Sequence, residues 1–184
     1  MNSNLNDDEL VRRTLTGEVG AYEVLIERYT PQVYRVVRRM CSDRAEAEAI
    51  TQEAFLRAWE ALPRSKYDQP FKPWVMQIAV NAARDSLRKL HPLDFADLPD
   101  GEPDDWLDST PSPEEHLTEA ELLTQLAAAV ETLPAPYRMV IALRYQAELS
   151  YEDIAAAMNL PVNTVRTHLY RAKQQLRDGL EEDR

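Results

Sequence analysis

One segment of this 184-residue chain holds most of the excess negative charge and nearly half of the prolines. Residues 91–115 contain nine Asp or Glu, five of the twelve prolines, one glycine and no Lys or Arg. Because proline interrupts helices and central strands, this segment cannot form part of a packed core. We therefore predict an extended acidic linker between two folded modules, residues 7–90 and 116–178. A passive, solvated tether is the simplest role for such a segment.

Outside this segment the chain is close to neutral. The formal net charge is −11, yet the remaining residues comprise 21 basic and 23 acidic side chains. The acidity of the whole chain therefore does not exclude binding to nucleic acid. The single cysteine, Cys41, rules out an internal disulfide, and no apolar run approaches the roughly 18 residues that cross a bilayer. These features predict a cytoplasmic protein.

The apolar residues of the first module follow a helical period. From Tyr22 onward they recur at steps of three, one and four, which places them on one face of a helix. We expect Pro31 to divide or kink this helix, Asp43 to cap a second helix, and Pro73 to lie in the first turn of a third. No segment alternates with period two. The sequence predicts an all-α fold of two small helical domains joined by the extended acidic linker.

The second module ends in the pattern of a helix-turn-helix. Two apolar stripes come first, one including Leu126 and the other including Tyr145. A short helix over residues 151–158, a tight turn and a last helix from about Asn163 follow. Ser150, with an acid three residues later, has the spacing of a capping box. These signals predict where both helices of the motif begin.

The last helix combines an apolar stripe with a basic surface. From Pro161 to Arg177 there are four Lys or Arg and no acid. At about 100° per residue, the inward positions are Val165, Leu169, Ala172 and Leu176. Arg166, Tyr170 and Lys173 lie on one flank, and Thr167, Arg171 and Gln174 lie roughly opposite the core. Such a helix can enter the major groove, where Arg pairs with guanine and Thr contacts a thymine methyl, while Lys173 and Arg177 suit phosphates. The alternative is a solvated basic face on a structural helix.

A second basic surface is expected on the helix that begins near Phe71. Asn81, Arg84 and Arg88 follow one another at steps of three and four, so they share a face. Basic residues beside aromatic ones suit single-stranded nucleic acid, because bases stack and phosphates pair with cations. Phe71 and Trp74 are the aromatic candidates, and the alternative for both is a place in the core.

Three sequence runs resemble segments of bacterial sigma factors. Residues 50–59 (ITQEAFLRAW) resemble the core-polymerase-binding segment of that family, and residues 71–81 (FKPWVMQIAVN) resemble its promoter-melting segment. Residues 149–155 (LSYEDIA) and 160–172 (LPVNTVRTHLYRA) resemble its helix-turn-helix for the −35 element. The order of these runs, the length and the two-module plan are similar to those of the extracytoplasmic function (ECF) subgroup, which keeps only the second and fourth sigma domains.

The resemblance implies that the chain binds core RNA polymerase. One face of the second helix is expected to dock on a coiled coil of the largest subunit of the polymerase. The residues that match this motif are Glu48, Gln52, Glu53, Arg57 and Trp59, whereas a common acid of the family is Ala49 here. A solvated helix face is the alternative for the two acids. The flap of the second-largest subunit is the second implied contact.

The resemblance also implies two sets of DNA-binding residues. Loop 63–70 matches the segment that captures a base flipped from the −10 strand, with Tyr67 and Asp68 as candidates. The −10 candidates on the next helix are Lys72, Asn81, Arg84 and Arg88. The −35 candidates are Asn163, Arg166, Thr167, Tyr170, Arg171 and Lys173. Asn163 replaces a frequent glycine and can cap a helix. His168 replaces a frequent arginine, which removes a phosphate contact.

Further partners follow from the same resemblance. The linker is expected to thread the RNA path of the polymerase, where its carboxylates would mimic the charge of RNA. An anti-sigma factor is a further expected partner, and no direct membrane insertion is expected. We expect no catalytic residue, no metal ion and no cofactor, because the polymerase performs the chemistry.

Three other functions fit parts of the pattern. A sigma mimic would sequester an anti-sigma factor without binding DNA, although the basic helix argues against it. An ordinary helix-turn-helix regulator leaves residues 50–59 and 71–81 unexplained. An enzyme would need a reactive group, and the candidate is Cys41, because arginines three residues away on both sides would lower its pKa. The alternative is an incidental cysteine.

Overall fold

The computed structural model describes residues 5–41, 43–65, 69–90 and 119–182. The helices are α1 (Asp7–Leu15), α2 (Val19–Arg38), α3 (Arg44–Ala61), α4 (Phe71–Leu90), α5 (Glu119–Thr132), α6 (Ala135–Ile141), α7 (Tyr151–Met158) and α8 (Val162–Glu182). A 3₁₀ turn (Leu62–Arg64) follows α3, and a π-helical turn (Ala142–Gln146) follows α6. No strand occurs in these ranges, which confirms the predicted all-α fold. The predicted linker lies outside them.

The N-terminal domain opens with α1, a helix for which the sequence gives no apolar stripe. The side chain of Asn6 caps it by accepting a hydrogen bond from the Glu9 amide at 2.9 Å. Leu10 and Val11 face inward and are buried. The Asp7 carboxylate accepts hydrogen bonds from Arg28 and Tyr29, which ties α1 to α2. A nine-residue helix with so few buried apolar side chains is too short for a periodic signal.

Pro31 does not divide α2, so the first of the two effects expected of it is wrong. The helix runs without a break from Val19 to Arg38, and the proline lies on its exposed side. Proline removes one backbone hydrogen bond and costs about 3 kcal/mol in a helix interior. Val33, Val36 and Val37 are fully buried beyond it, and each contributes about 1.5 kcal/mol or more of apolar burial. Burial on both sides of the proline therefore holds the helix together.

An aromatic cluster fixes the start of α4 against α2. The ring of Phe71 is fully buried and lies 5.6 to 6.4 Å from the rings of Tyr22, Tyr29 and Trp74, measured between centroids. The hydroxyl of Tyr22 donates to the Phe55 carbonyl oxygen at 2.6 Å, which joins α2 to α3. Phe71 and Trp74 are therefore core residues rather than stacking surfaces for bases. The predicted cap of α3 by Asp43 is confirmed.

The C-terminal domain contains the predicted helix-turn-helix. α7 occupies residues 151–158 as expected, and Asn159 ends it in the left-handed conformation, with φ of +54°. Ser150 and Asp153 form both hydrogen bonds of a capping box. Val165 and Leu169 of α8 belong to the same buried core as Ile154 of α7. A second small cluster joins α8 to the preceding helices through Leu133, Tyr137 and Ala172.

Tyr145 and Leu126, which were predicted to face inward, are exposed. Tyr145 is 55% exposed because the chain after α6 widens into the π-helical turn. The Ala147 amide bonds to the Ala142 carbonyl five residues back, at 3.1 Å. A π-helical turn has more residues per turn than an α-helix, so the side chains that follow rotate away from the α-helical stripe. The structure gives no comparable reason for Leu126.

The two domains contact each other through α4 and α7, and through α2 and the π-helical turn. Side chains of α4 reach the backbone of α7: Gln77 Nε2 donates to the Ala156 oxygen at 2.9 Å, and Arg84 Nη1 donates to the Met158 oxygen at 2.8 Å. On another side of the contact, Arg39 Nη1 lies 2.5 Å from Glu131 Oε1. These polar contacts lie beside a shared apolar core, because buried residues of both domains, including Val75 and Ile154, belong to one cluster.

The capping box gives a local stability prediction. We expect Ser150→Ala to weaken α7 by about 1 kcal/mol, because the amide of Asp153 loses its acceptor. Hydrogen–deuterium exchange of the first amides of α7 should then accelerate about fivefold. Thr132→Ala, which removes an exposed hydroxyl from the end of α5, is the matched control and should leave α7 unchanged. Equal exchange in both variants would contradict this role of Ser150.

Candidate functional site

The outward face of α3 carries the predicted polymerase-binding residues. Glu48, Gln52, Glu53, Arg57 and Trp59 are all exposed. Leu56 lies among them and is 61% exposed, although its residue type alone gave no reason to select it. Its signal in the sequence was its position off the buried stripe, four residues after Gln52 and three before Trp59. The structure therefore adds an exposed apolar residue to the centre of this polar face.

Two ion pairs order the charges on this face. Arg44 Nε lies 2.9 Å from Glu48 Oε1, and Arg57 Nε lies 2.8 Å from Glu53 Oε1. Arg57 also reaches Asp85 of α4 at 3.4 Å, and its hydrogen bond with Glu53 is the main cause that raises the pKa of its guanidinium. Exposed pairs of this kind contribute roughly 0 to 1 kcal/mol each, so a partner can rearrange them at little cost.

Trp59 has both a structural and an exposed part. Its ring lies 5.0 Å from that of Tyr22, between centroids, while 38% of the residue remains exposed. An indole that is half packed and half solvated offers a rigid apolar surface, and it loses little side-chain conformational entropy when a partner binds. Leu56 and Trp59 together form an apolar centre surrounded by charges, the arrangement typical of a protein–protein interface.

The −10 candidates on α4 lie in different surroundings. Asn81 is exposed, whereas Arg84 is half-buried and bonds to the backbone of α7. Lys72 Nζ lies 3.9 Å from Glu148 Oε2 in the C-terminal domain. Tyr67 and Asp68 lie outside the described residues, as does the side chain of Arg88. The structure therefore places Lys72 and Arg84 at the contact between the domains.

One arc of α8 carries basic and aromatic residues, of which Asn163 and Lys173 are exposed and Arg166 and Tyr170 are half-buried. Asn163, Arg166, Tyr170 and Lys173 follow at steps of three and four, so they share one face of the helix. The Arg166 guanidinium carbon lies 5.9 Å from the centre of the Tyr151 ring, and Lys173 Nζ lies 6.0 Å from the centre of the Tyr145 ring. Gln174 Nε2 donates to the Tyr170 hydroxyl at 2.7 Å. These neighbours orient the long side chains of the arc.

Thr167, predicted to lie opposite the core, is buried. It is 6% exposed, and its hydroxyl donates to the Asn163 carbonyl oxygen at 3.0 Å. α8 packs against α5 and α6 as well as against α7, so its buried arc is wider than the predicted four-residue stripe. Thr167 therefore cannot reach a base from this position. Arg171, which was also predicted to lie opposite the core, is half-buried.

Two further residues of α8 bear on the expectations from the sequence. His168 is buried, with its ring 5.4 Å from that of Tyr137 between centroids, which agrees with the expectation that it makes no phosphate contact. Asn163 does not cap the helix, because α8 begins one residue earlier, at Val162. Pro161 precedes the helix, and its carbonyl oxygen accepts the Val165 amide at 3.2 Å.

The Cys41 thiol is not activated by the nearby arginines. Burial raises its pKa to about 11, and the carboxylate of Glu46 adds to this shift, whereas Arg38 opposes it only in part. The arginines cannot overcome desolvation because Arg38 Nη1 donates to the Cys41 carbonyl oxygen at 2.5 Å, and the thiol is enclosed in the core. The structure thus supports an unreactive core cysteine.

We expect native Cys41 to react about 100-fold more slowly at pH 8 than the same thiol in denaturant, because so little of it is thiolate. Since burial raises the pKa, the native rate should climb with pH until about 11. Absorbance from a chromogenic disulfide reagent measures both rates. Equal rates in native and denatured protein would contradict the buried position of the thiol.

The described part of the chain offers no group of three His, Cys, Asp or Glu side chains that could hold a metal ion. In the same residues, no helix combines the length and apolar character needed to cross a bilayer.

Family models match both domains. The model for sigma-70 region 2 matches residues 25–91, and the model for sigma-70 region 4 matches residues 123–176. The chain is 33% identical to the RNA polymerase sigma-H factor of Pseudomonas aeruginosa over 95% of this chain and 94% of that protein. It is 34% identical to the ECF RNA polymerase sigma-E factor of Escherichia coli K12 over 96% of this chain and 95% of that protein.

Two solved structures share the fold. CnrH, in a complex with the cytosolic domain of CnrY, superposes with a TM-score of 0.70 at 23% identity, covering 97% of this chain and 99% of CnrH. The sigma factor RpoE of Bartonella quintana, in a complex with the anti-sigma factor NepR, superposes with a TM-score of 0.64 at 22% identity. The match covers 89% of this chain and 98% of RpoE. From the two matched regions and the full-length relatives, the chain belongs to the sigma-70 family, as an ECF sigma factor.

Proposed function

We propose that this chain binds core RNA polymerase and directs transcription from specific promoters by recognising −35 and −10 elements and stabilising the melted strand. The observation that carries this proposal is that one chain has two surfaces of different chemical character. The charged face of α3 has an apolar centre, and the face of α8 is basic. The chain itself is not an enzyme in this account, because the polymerase performs the chemistry.

The α3 face is the proposed contact with the coiled coil of the largest polymerase subunit. Leu56 and Trp59 would supply apolar burial, while Glu48, Gln52 and Glu53 would set orientation through polar contacts at the rim. The flap of the second-largest subunit would bind the C-terminal domain. Two separate contacts increase affinity, because the second forms within an already bound complex.

The proposed −10 surface is the face of α4 that contains Asn81 and Arg84, together with Lys72, Arg88, Tyr67 and Asp68. Asn81 is exposed on this face. The amide of an asparagine can pair with a base edge, and arginine and lysine suit the phosphates of a single strand. Because Phe71 and Trp74 are buried, a flipped base would have to stack elsewhere.

The proposed −35 surface is the arc of α8 that contains Asn163, Arg166, Tyr170 and Lys173. Asn163, Arg166 and Tyr170 are placed toward base edges, and Lys173 toward phosphate. Arg171 is assigned a phosphate contact at the edge of this arc. Thr167 is withdrawn from the set of base contacts because it is buried.

The −35 assignment predicts two different losses. We expect Arg166→Ala to reduce discrimination at one base pair about 5- to 150-fold, since a bidentate pair with guanine is worth about 1–3 kcal/mol. Lys173→Ala should instead weaken binding to every −35 sequence by about the same factor. The affinity of this variant should also depend less on salt. Polymerase binding to a set of −35 variants at two salt concentrations measures both. A uniform loss for Arg166→Ala would contradict its assignment to a base.

An anti-sigma factor is a proposed further partner. The solved structure of the Bartonella quintana protein contains an anti-sigma factor, and that of CnrH contains the cytosolic domain of CnrY. Both superpose on nearly the whole of this chain, which supports a surface of similar shape here. The partner of this chain would have to cover the α3 face or the contact between the domains in order to block the polymerase.

Selection of DNA from a random duplex pool tests the proposal. Core polymerase with this chain should enrich two sequence blocks at a fixed spacing, whereas core polymerase alone should enrich neither. Arg84→Ala should weaken the enrichment of the downstream block, and Arg171→Ala that of the upstream block. No enrichment above that of the core enzyme would contradict promoter recognition by this chain.

A further inference from the structure

The hydroxyl of Tyr170 accepts a hydrogen bond from a neighbour on the same helix. Gln174 Nε2 donates to the Tyr170 oxygen at 2.7 Å, from a position four residues further along α8. Residues four apart lie on the same face of a helix, so their side chains meet without distortion. In the part of the chain that the structure describes, the Tyr170 hydroxyl bonds to no other group. Within these residues its partner is therefore a donor.

This hydrogen bond determines which role the hydroxyl takes toward a further partner. A tyrosine hydroxyl has one hydrogen to donate and lone pairs that accept. Because the amide of Gln174 occupies the acceptor side, the O–H hydrogen points away from Gln174 and remains available. Linked hydrogen bonds also strengthen one another, so a hydroxyl that accepts from an amide is a better donor. Tyr170 is thereby oriented to donate to an acceptor atom.

The pair lies on the outer side of α8. At about 100° per residue, Asn163, Tyr170 and Gln174 lie within about 40° of one another. The buried residues Val165 and Leu169 lie on the far side of the helix. Tyr170 is half-buried and Gln174 is exposed. The pair therefore lies on the proposed −35 surface.

The basic side chains beside Tyr170 lie over other aromatic rings. The guanidinium carbon of Arg166 is 5.9 Å from the centre of the Tyr151 ring, and Lys173 Nζ is 6.0 Å from the centre of the Tyr145 ring. The negative face of an aromatic ring attracts a cation in this position. The polarity of the Tyr170 hydroxyl therefore does not depend on either cation.

A donor on this surface discriminates among the atoms that DNA presents. In the major groove, guanine N7 and O6, adenine N7 and thymine O4 accept hydrogen bonds, whereas cytosine presents only the N4 amino donor. Phosphate oxygens are acceptors as well. A partner of this hydroxyl therefore has to supply an acceptor atom.

We infer that Tyr170 donates a hydrogen bond to an acceptor atom of the −35 DNA, and that Gln174 is a positioning residue which fixes this polarity. The inference rests on the proposed −35 function of α8. The acceptor is a base atom or a phosphate oxygen, and modified DNA distinguishes these two sources. Gln174 itself does not contact DNA and acts only through Tyr170.

The affinity of the complete holoenzyme for duplex DNA tests both parts of the inference. The duplex carries the upstream block that core polymerase with this chain selects from a random pool. Tyr170→Phe removes only the hydroxyl and should weaken binding about tenfold. Gln174→Ala should weaken binding about threefold in the parent chain and should have no effect once Tyr170→Phe is present. Unchanged affinity for Tyr170→Phe, or an equal loss for Gln174→Ala in both backgrounds, would overturn the inference.

Gln174→Glu tests the polarity of the hydroxyl. A carboxylate only accepts hydrogen bonds, so the Tyr170 hydrogen must turn toward it and is lost to the DNA. Gln175→Glu is the matched control, because it adds the same charge at an exposed position about 100° further around the helix. We expect Gln174→Glu to bind about tenfold more weakly than this control. Equal binding by the two variants would show that Tyr170 does not act as a donor.

Modified duplexes identify the acceptor. If the acceptor is a base atom, Tyr170→Phe should lose the preference at one base pair of the upstream block and keep the others. If it is a phosphate oxygen, one methylphosphonate linkage should weaken the parent chain about tenfold more than it weakens Tyr170→Phe. A loss of affinity in Tyr170→Phe that follows neither pattern would contradict a hydrogen bond to DNA.

The free chain gives a readout that does not depend on DNA. The side-chain amide resonance of Gln174, followed by NMR, should shift when Tyr170→Phe removes its acceptor, and that of Gln175 should not. An unshifted Gln174 resonance would refute its role as the positioning residue. If core polymerase with this chain selects no upstream block, the proposed function fails and the DNA contact of Tyr170 with it. The resonance still decides whether Gln174 sets the polarity of the hydroxyl.

Discussion

Replacing Leu56 by alanine should weaken binding to core polymerase about 30-fold. Leu56 is 61% exposed in the free chain, so water surrounds most of its side chain. Burying it at an interface would contribute about 2 kcal/mol, and each 1.4 kcal/mol is a tenfold change in affinity. Because the side chain is exposed, its removal should change the free energy of unfolding by less than about 0.5 kcal/mol. A labelled chain titrated with core polymerase measures the dissociation constant.

Leu15→Ala is the matched control for this prediction. Leu15 is also an exposed leucine at 47%, but it ends α1 rather than lying on the α3 face. The control should bind the polymerase as the parent chain does. If both variants bind equally well, the apolar centre of the α3 face is not the polymerase contact.

The substitution Phe71→Ala should lower the free energy of unfolding by about 3–5 kcal/mol. Phe71 is fully buried and contacts the rings of Tyr22, Tyr29 and Trp74, so its loss leaves a cavity between α2 and α4. The N-terminal domain should lose most of its stability, since small domains have roughly 5–15 kcal/mol in total. Urea unfolding followed by tryptophan fluorescence measures the change.

Phe71→Leu separates the cavity from the aromatic contacts. Leucine refills most of the volume but offers no ring to the neighbouring aromatic side chains. Each contact between two rings contributes roughly 0.5–1.5 kcal/mol beyond the burial of apolar area. We therefore expect a loss between those of the parent chain and the alanine variant. A loss below about 1 kcal/mol for Phe71→Ala would show that the start of α4 is not anchored by this ring.

Local chemistry predicts the helices and caps of this chain well. The capping box at Ser150, the cap at Asp43 and the stripe of α8 depend on residues only three or four positions apart. Such signals can be recognised in the sequence because the interacting groups lie on one element. The same holds for the core position of Trp74, which shares a face with other apolar residues.

Long-range packing explains the predictions that failed. Thr167 is buried because α5 and α6 also cover α8, and no local pattern reports how many helices surround another. Pro31 is accommodated because valines on its far side are buried. In each case a contact between distant parts of the chain outweighs the preference of a single residue.

The candidate site was predicted by residue type more successfully than by environment. The α3 residues are exposed as expected, yet Leu56 was missed because an apolar residue on a helix is ordinarily assigned to the core. Arg84 was selected for its charge and its spacing, but its bond to the Met158 carbonyl connects two domains across 74 positions of the chain. That contact gives the arginine a second role which the sequence does not show.

Run-off transcription with mapped 5′ ends tests the central claim most directly. Core polymerase is supplied with a library of random promoters, with and without this chain. We expect discrete new start sites that depend on the chain, share one −35 and one −10 sequence, and disappear when Leu56 or Arg171 is replaced by alanine. Start sites identical to those of the core enzyme alone, at concentrations where the chain is bound to it, would contradict the account.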